Sequence, residues 1–359
     1  MPKNPAYRIR KKRSILHIDV LKRSKSARLV VSSLILTGIF SLSVLVLGGG
    51  LLYKSFQSSF VSAFSSNSQD LSSLDIFTLM QVNVSSLNDK EAEVLGIKYY
   101  LFQKNTNKLV IYTINPKTVV DMPGNLSDEE IGKAFRVGMM NEGSTVGEGT
   151  EFLRKSVSKI FGFKVDKFIL VNGSYIENAD KLFETGLINS LTNLKSIREF
   201  QTNVKTDMTI RDLLEMQKFL SQLPEERVYK YNFSETYITD PTDLDSFVRD
   251  FNSDSAVEHE ALTVSVLNGS GKGGFASFGA RVVENMNVRV VSVGNSDALY
   301  QESLIITSNK GSETVSWLQN TFGITKVVTK EQVVGVGDAE LDRSDIVVIL
   351  GFDKASELY

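Results

Sequence analysis

Gly269, Gly271 and Gly274 satisfy G-x-G-x-x-G between an apolar strand, LTVSVLN (262–268), and an apolar helix, FASFGARVVENM (275–286). Glycines in such a turn let backbone approach a pyrophosphate at a helix N-terminus, as in dinucleotide-binding folds. Two features oppose a nucleotide. The segment from 261 onward is only about 100 residues, less than a full doubly wound cofactor domain, and no acid stands about 20 residues on at the end of the second strand, since Asp297 falls later in a polar loop. Asn268, Gly269, Ser270, Gly271, Lys272 and Gly274 are thus the candidate ligand-binding residues, for an anionic sugar or phosphate. The competing reading is a tight turn that only permits helix packing. A second set is cationic: Lys117, Lys133 and Arg136 can form a modest basic patch, with Lys117 and Arg136 the catalytic candidates, or they are solvated surface charges.

Other chemistry lacks material. There is no cysteine, hence no disulfide, thiol nucleophile or cysteine metal site. The two histidines are His17, in a basic tail, and His259, in a polar stretch, so neither a Ser-His-Asp triad nor a histidine zinc site is expected. Asp128-Glu129-Glu130 reads as a helix start and Glu225-Glu226 as a loop, not as a glycosidase pair. No cofactor or metal is expected from the residues themselves.

The elements that must position these groups follow from an apolar run. Residues 29–53, LVVSSLILTGIFSLSVLVLGGGLLY, are long enough to cross a hydrocarbon core of about 30 Å as a helix, and longer than the apolar core of a cleaved signal peptide. Residues 1–28 carry ten Lys and Arg against Asp19, which places the N-terminus in the cytoplasm and everything after the span outside, a single-pass type II arrangement. The expected partner of 29–53 is membrane lipid, and a basic tail beside a span favours anionic headgroups over nucleic acid. Residues 54–74 are rich in Ser and Phe and read as a stalk; 75–250 read as an α/β domain, 251–260 as a polar aperiodic linker, and 261–359 as a second α/β domain. Net charge is −2 and 42% of residues are hydrophobic, an ordinary balance for folded domains with mixed sheets. In the first domain, strands are expected over 75–84, 97–103, 109–115 and 163–171. Helices are expected over 128–137, begun by the capping-box spacing Ser127 to Glu130, and over 148–161, 174–184 and 209–220.

Two resemblances add to this reading. The run Ile111 to Gly124, with Asn115-Pro116-Lys117-Thr118, resembles the strand and loop that carry a Ser-Ile-Pro-Arg-Asp-like motif in the LytR-CpsA-Psr family, and Phe161 to Val171 and Thr202 to Val204 are similar to later segments of it. The resemblance implies an extracytoplasmic enzyme that transfers polyprenyl-pyrophosphate-linked glycopolymer to peptidoglycan, with acidic residues holding a divalent metal such as Mg2+ and arginines gripping the pyrophosphate. This chain departs from that pattern. Gly96-Ile97-Lys98 stands where an Arg-x-Asp-like pair is expected, Lys117 replaces the motif arginine with a slip of one residue, and only Lys195 and Arg198 remain where an Arg-rich insertion belongs. A lysine cannot reproduce a bidentate guanidinium fork. Val264 to Gly271, Gly274-Phe275-Ala276, Val293-Gly294-Asn295 and Ser344 to Asp353 resemble the LytR C-terminal domain from end to end. Together the resemblances imply a membrane-anchored envelope protein with a degenerate first domain that binds or scaffolds cell-wall glycopolymer or its assembly enzymes. A residual phosphotransferase is the alternative.

Overall fold

Residues 76–84, IFTLMQVNV, place apolar side chains on both parities, so a strand built from them must be covered on both faces. In the computed structural model it is. The structure describes residues 70–359 apart from 90, 124–125, 127, 141–144, 186–193, 234–241, 253–254 and 334–340. The apolar run 29–53, the basic tail and residues 54–69 of the expected stalk lie outside the described residues. Among the described residues no helix is long and apolar enough to cross a membrane.

The first sheet has six strands in the order β5-β4-β1-β2-β3-β6. These are β1 (Ile76–Val84), β2 (Val94–Gln103), β3 (Lys108–Ile114), β4 (Lys167–Asn172), β5 (Val204–Thr206) and β6 (Val228–Phe233). β1, β2 and β3 form an antiparallel meander, while β4 joins β1 and β6 joins β3 in parallel. One face, with Met80, Val82, Tyr99, Leu101, Val110 and Tyr112, is covered by α1 (Ile131–Met139) and α2 (Val146–Phe161); Tyr99 stacks on Phe161 with centroids 4.1 Å apart. The other face carries Phe77, Leu79, Tyr100, Phe102 and Leu109 and packs against α5 (Ile210–Gln222). Among the described residues, α3 (Ile176–Thr185) and α4 (Leu194–Asn203) are the other α-helices before β6.

Local sequence explains the helix ends. Thr145 and Glu148 form a reciprocal capping box on α2, and Thr209 and Asp212 do the same on α5. The expected helix over 128–137 starts later. Glu129–Glu130 instead pair with Val119–Val120 as a two-residue ladder, and α1 begins at Ile131 without a side-chain cap; the Glu130 N–H, which the box would use, donates to the Glu129 carboxylate at 3.0 Å. Residues 70–74, read as the end of a stalk, are part of the core: Leu71 is buried and its N–H donates to Asp212 at 3.1 Å. The stretch expected as an aperiodic linker is helical in its described parts, within α6 (Thr242–Asn252) and α7 (Ser255–Glu260).

The second sheet has five strands ordered β8-β7-β11-β9-β10, with only the β9–β11 pair antiparallel. They are β7 (Thr263–Asn268), β8 (Arg289–Asn295), β9 (Leu304–Thr307), β10 (Val327–Val328) and β11 (Ile346–Leu350). Among the described residues its α-helices include α8 (Phe275–Glu284), α9 (Glu313–Phe322) and α10 (Phe352–Leu358). The two sheets share one hydrophobic cluster, running from Tyr99 and Phe161 through Phe251 and Val257 to Val266, Phe275 and Phe278. At its centre Arg281 of α8 donates to Asp245 of α6 through Nε (3.0 and 2.8 Å) and Nη2 (2.8 Å). It also donates to the carbonyls of Lys159 and, at 2.6 Å, Ile160. Asn285 donates to the carbonyls of Phe161 and Gly162 and to Asp245 at 3.0–3.2 Å. One domain therefore satisfies the last carbonyls of a helix in the other.

A buried charge cluster sits below β4. Lys167 and Asp212, each 1% exposed, pair at 3.1 Å, and Asp207 accepts the Phe168 N–H at 2.8 Å. Burial pushes the Asp207 carboxyl up to about 7, against the pull of the Phe168 N–H, Lys167 and Arg154. Since its folded value lies above the unfolded one, Asp207 contributes stability that is complete below about pH 4 and is lost as pH rises through about 7.

Three outcomes are expected. Arg281→Ala leaves Asp245 without its cation and strips the end of α2, so urea unfolding should show a loss of about 3 kcal/mol. Arg211→Ala, which breaks an exposed pair with Asp70, should cost under about 1 kcal/mol. Asp207→Asn should gain stability relative to wild type as pH rises from about 4 to about 7, in unfolding curves taken across that range; parallel curves for the two proteins would contradict the assignment.

Candidate functional site

The sequence candidates fall at two places. Asn268 ends β7, and both it and Ser270 are buried in the loop that leads to α8. The Asn268 amide donates to the Lys272 carbonyl at 2.7 Å, and its oxygen accepts from the Ser270 N–H (2.9 Å) and hydroxyl (2.8 Å). The Lys272 ammonium reaches the Ala355 carbonyl at 3.3 Å. Tyr300 fills the space beyond the strand ends. Its N–H donates to the Gly269 carbonyl at 2.8 Å, and a Cβ on Gly269 would fall 3.0 Å from its ring. Gly274 has φ +80°, which a side chain rarely adopts, and a Cβ there would lie 2.7 Å from the Tyr359 hydroxyl. The six residues come together, but their polar groups bind one another, an arrangement that serves the turn and the packing of α8.

Lys117, Lys133 and Arg136 do converge, around a hollow of about 440 Å3 that Glu93, Asn115 and Glu130 also line. It is not a cationic site. Arg136 pairs with Glu91 at 2.6 Å, and Lys133 with Glu129 at 2.8 Å and Glu130 at 3.7 Å. The Lys133 hydrogen bond and the Glu130 N–H hold the Glu129 carboxyl below its ordinary value. The Lys117 N–H donates to Asn115 at 3.0 Å, turning the loop after β3. Lys195 and Arg198 lie where side chains are outside the described residues.

A third place, which the residue patterns did not single out, is a groove of about 820 Å3 over the open end of the first sheet. Its floor is Tyr100, Leu109, Ile111 and Val228, with Lys98, Asp180, Glu225 and Lys230 among the lining. Strand parity puts Gln81 and Asn83 of β1, Lys98 and Tyr100 of β2, and Thr113 of β3 on this face. The polar groups are joined. Lys98 pairs with Asp180 of α3 at 2.7 Å, and the Gln81 amide donates to the same Asp180 oxygen at 3.1 Å and to Asn83 at 3.2 Å. The Tyr100 hydroxyl donates to the Gln81 carbonyl oxygen at 2.8 Å. A sequence signal was present: Gln81 and Asn83 break the apolar pattern on one parity of β1. Seeing that Lys98 lies opposite Gln81 requires the register of the β1–β2 pair.

Comparison with known proteins bears on the second domain first. Residues 261–353 match the family described as LytR cell envelope-related transcriptional attenuator. The C-terminal domain is a LytR C-terminal domain. A comparison with curated proteins gives no match. Among solved structures, similar chains include the transcriptional regulator YvhJ from Bacillus subtilis, at 12% identity and TM-score 0.34 over 45% of this chain and 83% of that one. Lin1025 from Listeria innocua gives 16% and 0.36 over 50% and 98%. YwtF (TagT), described as a LytR-CPS2A-psr family protein with bound octaprenyl pyrophosphate lipid, gives 14% and 0.31 over 45% and 78%.

If the loop of the LytR C-terminal domain is structural, Asn268→Ala should lower stability by about 2 kcal/mol in chemical unfolding, since three hydrogen bonds of a buried amide are lost. A variant as stable as wild type would return the loop to the list of ligand sites.

Proposed function

We propose that this chain is a cell-envelope protein that binds or scaffolds cell-wall glycopolymer, or the enzymes that assemble it, rather than a transferase. The observation that carries the proposal is the match of residues 261–353 to a cell envelope-related family. The continuous core and the Arg281 joint support a single extracytoplasmic body in which that domain and the groove of the first domain act together. Residues 29–53 would anchor this body to membrane lipid, with residues 1–28 in the cytoplasm.

The noncatalytic part of the reading is supported by electrostatics. Transfer from a pyrophosphate requires charge neutralisation at the leaving group. The two cations best placed by sequence are Lys117, which offers no fork, and Arg136, which is held by Glu91. Lys133 is likewise engaged by two glutamates.

The full chain, solubilised in detergent, should be retained by isolated cell wall, and Lys98→Ala with Asp180→Ala should weaken retention several-fold without loss of fold by circular dichroism. No retention of the wild type would remove the binding reading. Release of polyprenyl phosphate from a polyprenyl-pyrophosphate glycan, abolished in Lys117→Ala and Arg136→Ala, would favour the transferase instead. Protease added to intact cells should digest residues 70–359; protection would place them in the cytoplasm and undo the envelope assignment.

A further inference from the structure

The family resemblance implies a divalent metal held by acidic side chains, and the groove of the first domain is where strand and helix bring an acid beside the position of the expected Arg-x-Asp-like pair. The donors there do not fit such an ion. Mg2+ and similar hard cations need oxygen ligands, with one or two carboxylates carrying most of the charge compensation. At the polar end of the groove the described carboxylate is Asp180, whose Oδ1 already takes Lys98 at 2.7 Å and Gln81 at 3.1 Å. The other described carboxylate of the lining, Glu225, is carried elsewhere: Lys98 is level with Thr113 and Thr113 with Asn232, whereas Glu225 precedes Val228, so its backbone lies roughly 13 Å or more along the strand from the level of Lys98. Among the described residues no three acidic or histidine side chains cluster anywhere.

What stands beside Asp180 is itself a cation. Lys98 projects from β2 next to the acid that a metal would need, at a distance typical of a charge-assisted hydrogen bond. A dication entering there would have to displace an ammonium and meet its charge at close range, and the repulsion between like charges a few ångströms apart is several kcal/mol even with partial screening. Gln81 and Tyr100 hold the arrangement from below, since the Gln81 amide reaches both Asp180 and Asn83 while its carbonyl oxygen accepts from Tyr100.

We propose that the Lys98 ammonium occupies the place of a divalent cation, so that this groove excludes metal and holds its ligand by direct hydrogen bonds. The ligand class follows from the charges. The Lys98–Asp180 pair is neutral as a unit, and the other described charges of the lining, Lys230 and Glu225, are one of each sign, so a phosphate meets no net positive charge. Sugar hydroxyls can donate to Asp180 and accept from Lys98, and a pyranose ring can lie over the apolar floor of Leu109, Ile111 and Val228. The choice of a glycan rests on the envelope reading above; the exclusion of metal rests on the groove alone.

The experiment separates the two. Mn2+ binding to the detergent-solubilised full chain is read by electron paramagnetic resonance, and wall retention is measured with Mg2+ and with EDTA. Wild type should show no bound Mn2+, and Lys98→Asp, which puts two carboxylates side by side, should gain affinity by roughly tenfold or more. Wall retention of the wild type should be unchanged by EDTA. Mn2+ bound by the wild type and lost in Asp180→Asn would overturn the metal exclusion. So would a Lys98→Asp protein that keeps its circular dichroism spectrum and gains no Mn2+. Absent wall retention with these Mn2+ results intact would leave the exclusion standing and count against the glycan.

Discussion

The guanidinium of Arg281 is the contact on which the arrangement of this molecule depends. The last carbonyls of α2 end at the boundary between two sheets, where water is largely excluded and unpaired polar groups are costly. Arg281 and Asn285 supply donors from the other domain, and Asp245 balances the guanidinium charge. Because α2 also covers one face of the first sheet through Phe161, the position of the LytR C-terminal domain is fixed relative to that sheet. The opposite face is shared between α5 and the groove.

Much of the architecture was readable in the residues. β1, the β2–β3 hairpin, β4, α2, α5 and the strand-glycine-helix of the second domain lie within a few residues of their expected places, since period-two and period-3.6 patterns and capping spacings are local. The misses were nonlocal. Glu129 and Glu130 have helix-start chemistry but find a strand partner in Val119–Val120. The short β6, VYKYNF, was not singled out in the sequence, and its parallel pairing with β3 identifies it as a strand. The polar stretch after Phe251 looks aperiodic, yet Val257 is drawn into the shared core and α7 forms around it.

The candidate site shows the same division. Sequence grouped Lys117, Lys133 and Arg136 as one patch, and their side chains line one hollow. It had no means of seeing Glu91 arrive from the loop before β2 to take Arg136. Conversely, Asp180 lies 82 positions from Lys98, and only the packing of α3 beside the sheet makes them a pair. The G-x-G-x-x-G pattern was legible as a turn, but Tyr300 closing the crevice was not.

The placement of Lys98 also bears on how the sheet finds its pairing. In the native register Gln81 lies opposite Lys98, and both face the groove, while Tyr99 on the opposite face stacks on Phe161. Sliding β2 by one residue against its turn would exchange the two faces, sending an ammonium into the aromatic core and Tyr99 and Leu101 to the face of the groove. A strand of unbroken apolar residues would tolerate that slip and risk mispairing in the nascent chain. The lysine in the groove thus guards the fidelity of folding, whatever it touches afterwards.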